Sequence, residues 1–223
     1  MKSKTTILFD LDGTLIDSVP DLALAINHML RELGRDEFSQ ESIRYWVGNG
    51  APMLIKRALV GDVDVDDSLI DKELFDRATN IYMRAYHQYL SVATTTYPKV
   101  DSTLEELSKR GFKMAIVTNK PYEFVPPLLK NLNLDRYFDV IIGGDSCESK
   151  KPNPQMLECA LRELNSSVKQ SVMVGDSKND ILSAKSISMD SIALSYGYNY
   201  AEDISTYSPD VVVDNFDEIL NIL

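Results

Sequence analysis

Four short segments of the sequence carry side chains that together could transfer a phosphoryl group. Each lies at or shortly after the end of a run of apolar and β-branched residues that reads as a strand. The carboxyl ends of parallel strands meet at one edge of a sheet, so we expect the four segments to converge there. They are Asp10-Leu11-Asp12-Gly13-Thr14, Thr118-Asn119, Lys150-Lys151-Pro152 and Gly175-Asp176-Ser177-Lys178-Asn179-Asp180.

Two of the carboxylates are suited to a magnesium ion. Mg²⁺ prefers hard oxygen ligands, keeps several waters and uses only one or two protein carboxylates. We expect Asp10 and Asp176 to hold the ion. A liganded Asp10 stays ionised at neutral pH, and its free oxygen can attack phosphorus to give an aspartyl-phosphate. The sequence therefore predicts magnesium-dependent phosphoryl transfer with Asp10 as the nucleophile.

The other polar groups fit the remaining demands of this reaction. Asp12 could protonate the departing alkoxide and then take a proton from water, and Gly13 permits the turn that this needs. The Thr118 hydroxyl, the Asn119 backbone amide and the Lys151 ammonium could bind the phosphoryl oxygens. The set then contains a nucleophile, an acid/base group and its own cations.

Each segment taken alone also has an ordinary structural explanation. An Asp-x-Asp-Gly run occurs in capped turns and calcium loops, although a helix-loop-helix calcium site places its glycine later and has a third ligand before it. Thr118-Asn119 could begin a loop, Lys150 and Lys151 could be a solvated pair, and the segment from Gly175 could be a helix N-cap. The joint occurrence at strand ends, in this order, favours catalysis.

The elements that must position these residues alternate between strand and helix. The strand runs are nearly all apolar, as parallel strands covered on both faces are. This alternation predicts an α/β fold with a doubly wound, Rossmann-like parallel sheet and right-handed crossovers. The predicted strands are residues 5–9, 113–117, 140–142, 171–174, 191–194 and 211–213, and the predicted helices between them are 100–110, 124–132, 154–164 and 179–186.

A helical insertion interrupts the alternation after the first strand. Helical patterns at 21–33, 40–45, 53–59 and 72–90 follow one another with no strand between them. We therefore predict an all-α helical cap domain at residues 17–93 and a catalytic α/β core made of 1–16 and 94–223. The first cap helix opens with Ser18-Val19-Pro20-Asp21, which predicts a capping box with proline in the first turn.

The charge of the chain restricts its partners. The 223 residues carry a formal net charge of −11, which argues against a nucleic-acid surface. An anionic substrate must then be held by local cations. No apolar stretch resembles a signal peptide or a membrane span, and two cysteines do not make a secreted disulfide scaffold. We expect a cytoplasmic protein that binds no nucleic acid or membrane, as a monomer or weak homo-oligomer.

The four segments, in this order along the whole chain, resemble the motifs of the haloacid dehalogenase (HAD) superfamily of phosphatases. The resemblance implies a HAD core with its cap inserted after the first motif, Asp10 as nucleophile and Asp12 as acid/base. Dehalogenases and phosphonoacetaldehyde hydrolases of the superfamily lack the second aspartate, so Asp12 argues against them. The binding residues that it implies are the metal ligands Asp10, Asp12 through its carbonyl and Asp176, the phosphate binders Thr118 and Lys151, and Asp180, which would orient Lys151 or metal-bound waters.

Three further segments are similar to those of bacterial phosphoglycolate phosphatases: 46–51, 117–121 and 196–200. In the first, Gly48, Asn49 and Gly50 precede a predicted helix, whose exposed N–H groups could receive a small carboxylate, although an ordinary interhelical turn stays open as an explanation. The resemblance implies hydrolysis of a small phosphorylated metabolite, 2-phosphoglycolate, to glycolate and phosphate.

Two alternatives remain at this point. Another small-molecule phosphatase or a β-phosphoglucomutase-like phosphosugar mutase of the superfamily would share every core residue and differ only in the cap. A signalling receiver module also gathers carboxylates, a hydroxyl and a lysine around a phosphorylated aspartate. The position of the nucleophile after the first strand, Asp12 two residues later and the inserted cap disfavour the receiver.

Overall fold

The structure is a computed structural model that describes residue 1 and residues 3–223, and most of its strands form one sheet. All six predicted strands are present, and two short strands are added to them. In chain order the strands are β1 (Thr6–Phe9), β2 (Ile16–Asp17), β3 (Thr95–Thr96), β4 (Lys113–Val117), β5 (Val140–Ile142), β6 (Ser171–Gly175), β7 (Asp190–Leu194) and β8 (Val211–Val213).

Among the described residues, eight helices lie where the periodicity predicted them, with ends that differ by at most two residues, and the short last helix was not predicted. In chain order they are α1 (Val19–Glu32), α2 (Gln40–Arg44), α3 (Ala51–Val60), α4 (Lys72–Tyr89), α5 (Val100–Lys109), α6 (Val125–Asn131), α7 (Gln155–Glu163), α8 (Lys178–Ser186) and α9 (Ile219–Ile222). No helix in the described residues is both long and apolar enough to cross a membrane.

The large sheet is parallel throughout, with the order β5-β4-β1-β6-β7-β8. Ile7 and Phe9 of β1 share a buried cluster with α5, α6 and α9, whereas Leu8 belongs to a cluster with α7 and α8. The alternation of side chains along a strand thus buries both faces of the sheet. The predicted doubly wound α/β fold is confirmed, and β1 lies at its centre.

Helices α1 to α4 pack around a hydrophobic cluster of their own. Its fully buried members include Ile26 of α1, Ile55 of α3 and Tyr86 of α4. Phe124 and Tyr198, which come from the sheet side of the chain, complete this cluster. The helical segment therefore rests on the loops that follow β4 and β7. Its exact boundaries as a cap domain, at residues 17 and 93, stay a prediction.

The two short strands pair the segment that leads from the large sheet into α1 with the segment that returns from α4 to the sheet. β2 pairs with β3 in antiparallel register, with Ile16 opposite Thr96. Asp21 strengthens the junction, because its buried carboxylate accepts hydrogen bonds from the backbone N–H groups of Ala93 and Thr94 at 2.7 and 2.9 Å. Strands of two residues give no periodic signal, so the sequence did not predict this junction.

The predicted capping box at the start of α1 is wrong. Ser18 is the N-cap residue and proline does occupy the first turn, but the Ser18 side chain makes no capping hydrogen bond. Its hydroxyl instead donates to Asp12 Oδ1 at 2.5 Å, and Asp21 is occupied by the returning chain. Ser18 and Asp21 therefore bond residues elsewhere in the fold instead of capping the helix.

Candidate active site

The end of β1 brings the first acidic segment to the middle of the sheet edge. β1 pairs with β4 on one side and β6 on the other, so Asp10 is flanked by Thr118 after β4 and by Asp176 after β6. The Asp10 backbone N–H still donates to Val174 O at 2.9 Å, which fixes the chain at the point where the strand ends. The sheet order thus brings these three strand-end residues together, as the sequence predicted.

Asp10 lies beside a buried lysine. Lys151 Nζ is 3.1 Å from Asp10 Oδ1 and also donates to Asp180 Oδ1 and Val117 O, both at 2.6 Å. The approach of Nζ to Asp10 is an ion-pair contact outside hydrogen-bond geometry, so Asp10 Oδ1 is buried with no hydrogen-bond partner among the described residues. Lys151 thus faces the predicted nucleophile, and Asp180 holds Lys151 in place.

Asp176 is enclosed by short contacts. Its Oδ1 accepts a hydrogen bond from the Thr14 hydroxyl at 2.6 Å, and its Oδ2 accepts one from the Tyr198 N–H at 2.6 Å. Gly13 has φ +91°, and a Cβ atom there would lie 2.2 Å from Asp176 Oδ2. A residue larger than glycine at position 13 would therefore displace this carboxylate as well as strain the turn.

Burial raises the pKa values of both strand-end carboxyl groups. The pKa of Asp10 is raised to about 7, because burial outweighs the opposing charge of Lys151, and the nearby Asp180 and Asp12 add to the rise. Burial, Asp10 and Asp180 raise the pKa of Asp176 well above its usual value. Burial lowers the pKa of Lys151, but Asp10 and Asp180 outweigh it, so the net change is upward. The lysine stays charged.

These residues fit a divalent cation. Oxygen atoms of Asp10, Asp176 and Asp180 lie within 4.8 Å of one another. Asp180 already accepts from Lys151 through Oδ1 and from the Ser177 N–H and hydroxyl through Oδ2, whereas Asp10 Oδ1 accepts no hydrogen bond from any described residue. Carboxylates are hard oxygen ligands that suit Mg²⁺. A bound cation would also offset the burial that disfavours their ionised forms. Asp10 Oδ1 can therefore bind an ion without losing a hydrogen bond, and the choice of Asp176 as the second ligand stays a prediction.

The raised pKa of Asp10 predicts how pH and magnesium act on stability. Between the usual value of 3.8 and about 7, the folded state holds a proton on Asp10 that the unfolded state has lost. The free energy of unfolding of the metal-free protein should therefore fall as pH rises through this range. Because Mg²⁺ competes with that proton, it should raise the melting temperature more at about pH 8 than at about pH 5.

Thermal unfolding with Mg²⁺ or with EDTA, at several pH values, measures this effect. Asp10→Asn is the matched variant, because it removes the ionisable group and keeps a similar shape. The melting temperature of metal-free Asp10→Asn should rise relative to wild type as pH increases. A magnesium effect that is the same at all pH values would contradict the assignment.

Asp12 is set apart from the three clustered carboxylates. Its Oδ1 accepts from the Ser18 hydroxyl at 2.5 Å, and both of its oxygens contact Lys120 Nζ, at 3.0 and 3.1 Å. The sequence analysis did not identify Lys120 as a site residue, although it directly follows Thr118-Asn119. Its position was the available signal, because a lysine two residues beyond a strand-end threonine can reach the same edge of the sheet.

Thr118 and Asn119 also lie at this edge. Thr118 is buried and its Oγ1 accepts from the Lys120 N–H at 3.2 Å. The Asn119 side chain exchanges two hydrogen bonds with the backbone of Lys151, and its Nδ2 also donates to Gly48 O at 2.9 Å. Asn119 therefore connects the lysine loop to the helical segment, a role that the sequence did not reveal.

The residues predicted to bind a carboxylate in the helical segment divide into two groups. Gly48 and Gly50 line a cavity over the site, and α3 begins directly after Gly50, two residues earlier than predicted. The Asn49 side chain, in contrast, accepts a hydrogen bond from the Tyr200 hydroxyl at 2.7 Å, and Asn49 is not among the residues that line the cavity. Its structural role is to hold the 196–200 loop.

A narrow cavity of about 40 Å³ lies between the sheet edge and the helices. Volume on this scale holds only a few water molecules, so the space over the site is small. Both aspartates of the first motif open onto it. The residues that line it are Asp10, Asp12, Leu22, Val47, Gly48, Gly50, Ala51, Leu54, Tyr82, Tyr86, Thr118, Asn119, Lys120, Pro121 and Phe124.

The sheet and its edge residues define a class of enzyme. Residues 7–194 match the sequence profile of the haloacid dehalogenase-like hydrolases, and the chain belongs to this family. The predicted family is confirmed, and the chain is a hydrolase. Phosphatases of this family generally use Mg²⁺.

Relatives narrow the comparison. A phosphoglycolate phosphatase of Colwellia psychrerythraea is 47% identical over 220 residues, which are 99% of this chain and 97% of the relative. One from Psychrobacter arcticus is 46% identical, with 99% and 96% of the two chains covered. A crystal structure described as a predicted phosphoglycolate phosphatase from Haemophilus somnus has a TM-score of 0.92 at 35% identity, over 100% of this chain and 99% of that one. The resemblance to phosphoglycolate phosphatases is thus confirmed along nearly the whole chain.

Proposed function

We propose that this enzyme hydrolyses 2-phosphoglycolate to glycolate and phosphate through a phosphoenzyme on Asp10. One observation carries the proposal. Asp10 Oδ1 is buried beside the Lys151 ammonium, has no hydrogen bond among the described residues and belongs to a side chain that opens onto the cavity. Once Asp10 is ionised, an oxygen that is desolvated and held by no hydrogen bond is suited to attack an electrophile.

The reaction divides into two displacements at phosphorus. In the first, an Asp10 oxygen forms a bond to phosphorus while the bond from phosphorus to the ester oxygen breaks, and Asp12 gives its proton to the departing alkoxide. In the second, water attacks the phosphoenzyme, the bond between phosphorus and the Asp10 oxygen breaks, and Asp12 takes the proton from the water. Each step leaves Asp12 ready for the next.

The negative charge of the phosphoryl group is balanced by the groups around Asp10. We assign its oxygens to the Thr118 hydroxyl, the Asn119 N–H and the Lys151 ammonium. When bound by Asp10, Asp176 and the Asp12 carbonyl, Mg²⁺ supplies further positive charge for those oxygens. Asp180 fixes the position of Lys151 through the 2.6 Å hydrogen bond. The narrow cavity then excludes bulk water from the transfer.

The choice of substrate rests on the relatives and on the cavity. Relatives that are 46 to 47% identical over nearly the full length bear the name phosphoglycolate phosphatase. The small cavity favours a two-carbon leaving group over a sugar. We further propose a cytoplasmic location and a monomer or weak homo-oligomer, because the charge and the small substrate require neither a membrane nor a partner.

A panel of phosphate esters, each measured with Mg²⁺ and with EDTA, tests the assignment. The panel contains 2-phosphoglycolate, β-glucose 1-phosphate and p-nitrophenyl phosphate. We expect 2-phosphoglycolate to have the highest kcat/KM, by roughly tenfold or more, since its small leaving group fits the narrow cavity. Activity should be lost in EDTA and return with Mg²⁺.

Other results would point to the alternatives. Conversion of β-glucose 1-phosphate to a phosphate isomer would identify a mutase, and a higher kcat/KM for a different ester would replace 2-phosphoglycolate as the substrate. Slow loss of one phosphate per chain, without steady turnover, would identify a receiver-like module.

A further inference from the structure

Lys120 is a buried cation in a cavity that otherwise carries negative charge. Its side chain is 3% exposed, and its Nζ contacts both oxygens of Asp12. Among the described residues that line the cavity, the other charged groups are Asp10 and Asp12. A substrate with a second anionic group beyond its phosphate would therefore find one cation within the cavity itself, and that cation is Lys120.

Tyr86 of α4, which lines the same cavity, supplies an independent observation. The residue is 1% exposed and lines the cavity, and its hydroxyl has no hydrogen-bond partner among the described residues. Lys120 Nζ lies 4.8 Å from the centre of the Tyr86 ring. Burial raises the pKa of Tyr86 well above its usual value, with Asp12 and Asp21 adding to the rise, so the hydroxyl keeps its proton. A buried donor without an acceptor costs free energy, which a ligand acceptor would recover.

We propose that Lys120 and Tyr86 form a subsite for a carboxylate carried by the leaving group, and that this subsite selects esters of 2-hydroxy acids. The inference rests on the proposed phosphatase function and names what its substrate must contain. The ammonium would pair with the carboxylate, and the tyrosine hydroxyl would donate to one of its oxygens. Neither residue was part of the carboxylate site expected at Gly48, Asn49 and Gly50.

The distances allow one substrate to contact Asp12 with its ester oxygen and Lys120 with its carboxylate. If Asp12 lies within hydrogen-bond reach of the ester oxygen, that oxygen is at most roughly 6 Å from Lys120 Nζ, since Nζ and Asp12 are already in contact. In a phosphorylated 2-hydroxy acid, three bonds separate the ester oxygen from a carboxylate oxygen, a reach of no more than about 4 Å. The carboxylate can therefore lie against the ammonium while Asp12 addresses the ester oxygen.

A pair of substrates that differ in this one group tests the proposal. 2-Phosphoglycolate carries the carboxylate, and 2-hydroxyethyl phosphate replaces it with an uncharged alcohol of similar size. The measured quantity is the ratio of kcat/KM for the first ester over the second. Any effect of a variant on Asp12 acts on both esters and cancels in this ratio.

We expect Lys120→Met to lower the ratio by on the order of 100-fold and Tyr86→Phe to lower it by about tenfold, because each removes a hydrogen bond to a charged group. Lys72→Met is the control. Lys72 is an exposed lysine that pairs with Asp76 at the other end of α4, about 20 Å along the helix from Tyr86, and its substitution should leave the ratio unchanged. Tyr86→Phe keeps the ring and removes only the hydroxyl. A lower ratio in this variant therefore cannot be attributed to unfolding.

The results separate the two proposals. A wild-type enzyme that does not prefer 2-phosphoglycolate over 2-hydroxyethyl phosphate would overturn the proposed substrate and, with it, the subsite. A wild-type preference that persists in both variants would overturn the subsite alone and leave the phosphatase assignment in place. Equal losses on both esters would show that Lys120 only positions Asp12.

Discussion

Asp10→Asn should lower kcat by at least about 10⁴-fold while the protein stays folded. The carboxylate oxygen that attacks phosphorus is replaced by an amide that is not a nucleophile, and one metal ligand weakens at the same time. The fold should not suffer, because the substitution removes a buried charge whose burial raises its pKa to about 7. Steady-state turnover of 2-phosphoglycolate and thermal unfolding at neutral pH measure the two effects.

Asp62→Asn is the matched control for this substitution. Asp62 lies in the exposed loop between α3 and α4, where its carboxylate accepts a local hydrogen bond from the Asp64 N–H, so activity should be unchanged. The nucleophile assignment would be wrong if Asp10→Asn kept more than a small fraction of wild-type turnover. A phosphorylated protein in wild type, trapped by acid quench and absent from Asp10→Asn, would identify the residue directly.

Asp12→Asn should lower turnover of 2-phosphoglycolate by about 10²–10⁴-fold and cause phosphoenzyme to accumulate with an activated ester. Asparagine keeps an oxygen for the Ser18 hydroxyl but cannot give or take the proton. p-Nitrophenyl phosphate has a weakly basic leaving group that needs little proton donation, so it should still phosphorylate Asp10. Hydrolysis of the phosphoenzyme still requires a base, and the protein should therefore stop at that stage.

We expect a burst of nitrophenol of about one equivalent per chain, followed by slow turnover. Intact-protein mass spectrometry should show the added phosphoryl group. Thermal unfolding of the variant checks that Lys120, which loses its counter-charge, has not disrupted the fold. Unchanged steady turnover of both esters would remove the acid/base role from Asp12.

Features with repetitive signals could be predicted from the sequence. Six strands and the helices between them are apolar runs or 3.6-residue patterns, and their order along the chain determines which side chains follow a strand. Asp10, Thr118 and Asp176 were therefore expected at one edge, and the sheet order brings them there. The roles that we assign to these residues stay predictions until turnover is measured.

Features that depend on single tertiary contacts could not be predicted. Ser18 has the type and spacing of a capping residue, yet its hydroxyl bonds Asp12, because that carboxylate is within reach only in the folded chain. Thr14 and Tyr198 hold Asp176 from segments that lie 184 residues apart. The hydroxyl of Tyr86 gives no sequence signal, since a tyrosine at helical spacing reads as a core residue.

The carbonyl of Gly48 has a consequence for the timing of the reaction. It accepts from the side-chain amides of both Asn119 and Asn179, at 2.9 and 3.1 Å, so two groups near the sheet edge hold the loop that closes the cavity. Substrate entry and product departure must break these bonds or pass around them. Each is worth only about 0.5–1.5 kcal/mol net, which thermal motion supplies readily. The two bonds are therefore weak enough to open and re-form in every cycle, and if substrate enters through this loop, the rate at which they open limits the turnover number.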